Sequence, residues 1–336
     1  MDVSIVVLTR DLRLRDNPAL AAASSESDTV IPLFVFDPAI VESGYASPNR
    51  VHFLLDALTD LRRSLREIGG DLVLRHGDTV TEALTLAREH GAEAIHIATD
   101  VSRFAARREH RLARACADER LAYVAHPGPT VIEPGAVSPT SGDHYKVFTP
   151  YWRAWKDTPW RAVASTPRSL ALPDGLPGDV GAVPDGADLV DGDPSPDLAE
   201  GGESIARSLL NGWTRSTLGR YDDIHDDLAG DETSRLSPYL HFGCVSALEV
   251  ATRLRDRAGG AEYVRQLCWR DFHHQVTAAF PSMATDEYRT RGDDWREEGD
   301  DLDAWKEGRT GYPIVDAGMR QLRQEGWMHN RARMIT

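Results

Sequence analysis

An α/β fold with a doubly wound, parallel five-stranded sheet, followed by an all-helical region, is the architecture this sequence predicts. Three observations predict it. Five short apolar segments recur through the first 126 residues, helix-length stretches with their own start signals separate them, and beyond residue 203 the apolar spacing is helical with no second strand series. A length of 336 residues suits two hydrophobic cores better than one.

The segments 3–8, 30–36, 71–75, 94–98 and 121–125 read as strands because each is a short apolar run bounded by turn residues. Between them, Ser47 followed by Pro48 marks a helix start, Thr79 with Glu82 three residues on reads as a capping box, and Ser102 precedes an arginine-rich amphipathic stretch. Strands joined by helical crossovers place any ligand at the carboxyl ends of the strands. The first strand, however, is followed by Thr9-Arg10-Asp11-Leu12-Arg13 and not by GxGxxG, so the sheet assigns no function by itself. From 160 to 203 the chain is rich in Pro, Gly and Asp and reads as an exposed connection. Helical patterns follow at 203–211, 246–257, 261–279, 302–306 and from 315 onward, the last still in helical phase at residue 336. The expected organisation is thus a sheet domain at 1–130, a connecting segment at 131–202 and a helical domain at 203–336.

Composition narrows the function classes. No 18-residue apolar run exists and the N-terminus has no export pattern, which points to a cytoplasmic protein with no membrane partner. Cys116, Cys244 and Cys268 are far apart, so neither disulfides nor a metal site are expected, and the thiols read as small buried apolar groups. The net charge of −15 argues against an overall nucleic-acid surface, yet −6 of it falls in residues 161–202. Only Lys146, Lys156 and Lys306 are lysines; the other cations are arginines, suited to bidentate phosphate contact and to ring stacking. A local basic groove is compatible with the acidic whole.

Four strings carry chemistry. Residues 233–240 (TSRLSPYL) put hydroxyls, amides and one Arg before a helical turn, which suits a phosphate but by itself reads first as a capped helix with a solvated Arg. In 263–274 (YVRQLCWRDFHH), Gln266, Trp269, Arg270 and His273 recur along one helical face, a stripe that fits a ligand or a core. Residues 326–334 (GWMHNRARM) align Trp327, Asn330, Arg331 and Met334 on adjacent turns, fit for stacking and hydrogen bonding to a ring. Trp295, Trp305 and the string 310–322 (TGYPIVDAGMRQL) add aromatics in an acidic, turn-rich region.

Taken together and in this order, these strings resemble the photolyase/cryptochrome family, as do 145–155 (YKVFTPYWRAW), Thr9 to Arg13 and Asp16-Asn17-Pro18. The resemblance spans essentially the whole chain. It implies a helical flavin-binding domain and FAD as cofactor, with Tyr221, Thr233, Ser234, Arg235, Leu236 and Ser237 lining the dinucleotide and Arg270 and Arg333 near the flavin ring or its phosphates. It implies UV-damaged DNA as partner of a monomeric enzyme, with His225, Trp269, Asn330, Arg331 and Met334 on the DNA side. The implied reaction is electron donation from excited, reduced flavin to a pyrimidine dimer, ring opening and return of the electron. Gln266, Trp269 and Asn330 would act at the lesion and Trp295 as the outer tryptophan of a photoreduction chain. The family's two inner tryptophans and further flavin contacts would fall beyond residue 336, so an incomplete flavin site is expected. Gln266 stands where cyclobutane photolyases usually have Glu and is more typical of six-four enzymes, whereas Asn330 and Met334 match cyclobutane repair. A cryptochrome-like photoreceptor is the next alternative. An antenna chromophore of unknown type in the sheet domain is also implied; Phe104 and Ala105 do not match a folate pattern.

Overall fold

The computed structural model describes residues 1–176, 180–294, 297 and 299–336. The chain starts with β1 (Val3–Val7), α1 (Pro18–Glu26), β2 (Thr29–Phe36), a short α2 (Pro38–Val41), α3 (Pro48–Glu67), β3 (Val73–His76), α4 (Thr79–His90), β4 (Ala94–Ala98), α5 (Arg103–Glu119) and β5 (Ala122–His126). The strands form one parallel sheet in the order β3-β2-β1-β4-β5, with Ile5 in register with Ile31 on one side and Ile95 on the other. All five residues of β1 are buried because the central strand is covered on both faces. Alternation sorts them: Ile5 and Val7 join the core beneath α4 and α5, while Val6 joins the core shared with the helical region.

Helix starts follow side-chain chemistry, with one correction. Asn17 accepts from the Leu20 N–H and Ser102 from the Ala105 N–H, as N-caps do. The cap of α4 is Asp78 and not Thr79: Asp78 accepts from the Thr81 N–H, and Thr79 turns its hydroxyl to donate to Asp37. A carboxylate one residue earlier is the stronger acceptor and takes the position.

The helical region contains α6 (Phe148–Asp157), α7 (Glu203–Ser216), α8 (Tyr221–Ile224), α9 (Ser237–Phe242), α10 (Ala247–Leu254), α11 (Gly260–Ala279), α12 (Asp300–Lys306), α13 (Pro313–Glu325) and α14 (Asn330–Ile335). Two further expectations change. The stretch 160–203 is not an exposed connection throughout: parts of it are laid along the sheet domain, where the Leu170 N–H donates to Ile68 O, the Leu74 N–H to Val180 O, and Leu170 and Val180 are buried. The helix beginning near 315 does not run to the end, because Gly326 adopts φ 64° and closes α13 before α14 begins.

The segment following β1 is the joint between the two regions. Arg10 Nε donates to His241 O and its NH1 pairs with Asp100 at 2.9 Å; Arg13 NH1 donates to Gly243 O; the Leu14 and Arg15 N–H groups donate to Glu203. Asp16, fully buried, receives Arg161, the Ala164 N–H and the Ser246 hydroxyl. Burial raises the Asp16 pKa, but the Arg161 and Ser246 hydrogen bonds outweigh it and hold the carboxyl below its ordinary range. Gly243 permits the approach: at φ 73° a Cβ there would sit 1.9 Å from Arg10 O. The three cysteines are free and buried, and no helix among the described residues is long and apolar enough to cross a membrane.

Candidate functional site

Helix α11 forms one wall of a cavity of about 760 Å³, the size of a small-molecule or cofactor site. Tyr263, Gln266, Trp269, Arg270 and His273 face it at three- and four-residue steps. The helix is anchored by Asp271, buried on the opposite side, whose carboxylate accepts from the Val131 and Ile132 N–H groups and from the Trp155 indole N–H. Burial pushes the Asp271 pKa up to about 6, with the Ile132 and Trp155 donors opposing it. Arg270 spends its donors on Pro129 O and Leu240 O, and burial pulls its guanidinium down to about 10.

The second wall is the loop leading into α9. Ser234 and Tyr263 share a hydrogen bond of 2.8 Å, and the Thr233 hydroxyl is buried without a partner. Arg235 takes a left-handed φ of 51°, a conformation that a non-glycine residue holds only when its surroundings fix it. Here they do: its guanidinium pairs with Asp231 and Glu325 and lies 4.4 Å from the Trp327 ring centre.

The third wall comes from α14 and the turn before it. His329, 3% exposed, accepts the Arg331 N–H at Nδ1, and its Nε2 is buried without a partner. Since Nδ1 is the acceptor, the hydrogen belongs on Nε2 in the neutral ring. Arg331 forms a bidentate pair with Asp226 at 2.6 and 2.7 Å, which holds the Asp226 carboxyl below its ordinary range. Arg333 Nε donates to Met328 O. The wall is completed by α8, where Tyr221 and His225 have ring centres 5.2 Å apart and His225 Nδ1 bonds to Tyr221 O. Burial raises the Tyr221 pKa, so its hydroxyl stays neutral.

One cavity therefore collects Tyr221, His225, Thr233, Ser234, Arg235, Leu236, Ser237, Gln266, Trp269, Arg270, Asn330, Arg331, Arg333 and Met334. These are all the expected site residues except Trp295, which lies outside the described residues. The arginines are less available than their number suggests: Arg235 and Arg331 are held by carboxylates, and Arg270 and Arg333 donate to backbone carbonyls. Sequence reasoning did not select Asp226, Tyr263 or His329 as site residues, although they line the same cavity, as does Trp327, which the sequence had marked as fit for ring stacking. His329 falls in the GWMHNR string and could have been found there; Asp226 had no signal beyond being one of a run of carboxylates. Among the described residues no cluster of three metal-binding side chains occurs.

Residues 4–169 match the family description "DNA photolyase" and residues 263–336 match "FAD binding domain of DNA photolyase". The chain is 50% identical to the deoxyribodipyrimidine photo-lyase of Streptomyces griseus over 339 residues, covering 100% of this chain and 74% of that relative. Its structure is similar to that of a class III photolyase from Agrobacterium tumefaciens, with TM-score 0.91, 30% identity, and coverage of 100% of this chain and 71% of that one. An archaeal photolyase from Sulfolobus tokodaii with two FAD molecules superposes with TM-score 0.82 at 29% identity, covering 99% of this chain and 73% of that one.

Proposed function

The chain belongs to the DNA photolyase/cryptochrome family, and on that premise we propose that it is a lyase of light-driven DNA repair that binds FAD and splits cyclobutane pyrimidine dimers in UV-damaged DNA in the cytoplasm. The observation that carries this reading is the convergence on one cavity of fourteen residues that the resemblance marks as site residues.

The donor set fits FAD. Thr233 and His329 each bring a buried polar atom with no protein partner to the cavity wall, a costly arrangement that a polar ligand can relieve after small adjustments. Thr233, Ser234 and Ser237 would hold the diphosphate with hydroxyls and amides, and Arg235, fixed by its own ion pairs, would present backbone more than free charge. Tyr221 and Leu236 would line the dinucleotide, with Arg270 and Arg333 toward the ring or its phosphates. Bound here in its reduced form, FAD would supply the photochemistry, a light-excited electron donor for opening the cyclobutane ring.

The protein's part is orientation and the exclusion of water. Leu236, Leu240, Leu267 and Met328 line the cavity with apolar surface. Trp269 would stack on a displaced pyrimidine, whose flipping costs a few kcal/mol and least for damaged bases. Gln266 can donate to and accept from the pyrimidine edge but brings neither charge nor an acidic proton. Asn330 and Met334, one turn apart on α14 with amide and thioether 4.0 Å apart, support cyclobutane repair over the six-four reaction. Arg331 would meet the DNA backbone, in exchange for its Asp226 contact.

The test is repair under blue light by FAD-loaded protein, using oligonucleotides that contain either a cyclobutane dimer or a six-four photoproduct. Restoration of the 260 nm absorbance for the first substrate alone is expected. Repair of the second alone reassigns the lesion, and repair of neither by protein that holds flavin supports a photoreceptor.

A further inference from the structure

Phe148 opens α6, and its ring lies flat against the indole of Trp269, with centroids 3.6 Å apart and planes 6° from parallel. Phe148 is 6% exposed and Trp269 36%, so the phenyl ring is the inner partner and the indole the outer one. The inner ring is itself fixed. Phe272 meets it edge-on at 5.9 Å and 89°, and the Arg265 guanidinium lies 5.9 Å from its centre. Phe272 also meets the indole edge-on at 5.6 Å, and the His273 ring, one turn on, lies offset from it and near-parallel, with centroids 5.9 Å apart and planes at 25°. Helix α6 cannot slide along α11, because the Trp155 indole N–H is bonded to Asp271 and Tyr151 packs on Phe272.

A flat ring with one face covered can stack only through the other. We infer that Phe148 is a positioning residue: it backs Trp269 so that the cavity mouth offers a single, pre-set aromatic face to one displaced pyrimidine. This rests on the reading that Trp269 meets the lesion. Phe148 touches neither base nor cofactor. It acts by keeping the indole in the plane where a base can lie on it, so that less side-chain freedom is lost when the base arrives. Aromaticity matters because the phenyl matches the flat indole across its whole face, whereas a branched aliphatic chain of similar bulk leaves part of it free to tilt.

The experiment measures affinity in the dark, with FAD-loaded protein and a labelled oligonucleotide with and without a cyclobutane dimer. Phe148→Leu is expected to bind undamaged DNA and FAD as the wild type does but to lose about 3- to 10-fold in dimer affinity, the range an aromatic pair contributes. Phe148→Tyr, which keeps the ring, is expected to stay within about twofold of wild type by the same reasoning. Phe148→Met provides a second aliphatic filling, judged by the same criterion, should the leucine variant lose its fold. Equal losses for damaged and undamaged DNA, or no loss with either aliphatic residue, overturn the inference. Trp269→Leu separates it from its premise: if that variant keeps full dimer affinity, the lesion does not stack on Trp269 at all, whereas a loss there with none in the Phe148 variants defeats the role of Phe148 alone.

Discussion

Replacing Asp271 by Ala should unfold the joint between α6 and α11, and the size of the effect follows from three donors. The Val131 and Ile132 N–H groups and the Trp155 indole N–H all end on Oδ2 of this buried carboxylate, at 3.0, 2.9 and 2.9 Å. Each buried donor left without an acceptor costs about 1–3 kcal/mol, so the alanine variant should lose about 3–6 kcal/mol after some water entry. The carboxyl also has a pH signature. Its folded pKa is raised from 3.8 to about 6 by burial, so the folded state holds the proton more tightly than the unfolded chain. That contribution is complete below pH 3.8 and is lost as pH rises through about 6, amounting to about 3 kcal/mol at 1.36 kcal/mol per pKa unit. Asp271→Asn keeps an acceptor oxygen for the same donors and has no such slope. The assay is urea unfolding followed by tryptophan fluorescence from pH 4 to pH 7. An alanine variant less than about 1 kcal/mol weaker at pH 5, or parallel wild-type and asparagine curves, would show that the carboxylate is not the anchor described.

Other outcomes follow from single contacts. Gly243→Ala should cost at least about 3 kcal/mol, since the new Cβ would lie 1.9 Å from Arg10 O in a left-handed backbone; a melting temperature within a few degrees of wild type would contradict it. Asp16, with its folded pKa held below 3.8, contributes stability that is present above that value and lost as pH falls through the folded pKa; Asp16→Asn should be weaker at neutral pH and flatter in acid, read by urea midpoints. Thr233→Val removes a buried hydroxyl with no protein partner, so the apoprotein should be as stable or more so while FAD affinity drops about tenfold, measured by flavin fluorescence titration. Asp226→Asn frees Arg331 from its bidentate pair, and the slope of log affinity for DNA against log salt should steepen by about one contact; an unchanged slope places Arg331 off the DNA.

Period and order in the sequence carried most of the fold and much of the site. Apolar runs with helical crossovers are local facts, and they specify a parallel sheet because such strands must be covered on both faces. The faces of short strings were equally legible: the spacing of Gln266, Trp269, Arg270 and His273 already put them on one side of a helix. Partnership was not legible, because it joins residues that the chain keeps far apart. That Arg331 is held by Asp226, that Phe148 lies beneath Trp269, and that the poorly apolar stretch after residue 160 is stitched along the sheet domain all depend on contacts across long separations. The same holds for charge. Sequence supplied four arginines for the site, and only the tertiary structure decided that two of them are held by carboxylates and two donate to backbone carbonyls, since the field at a side chain is set by neighbours in space and not by neighbours in order.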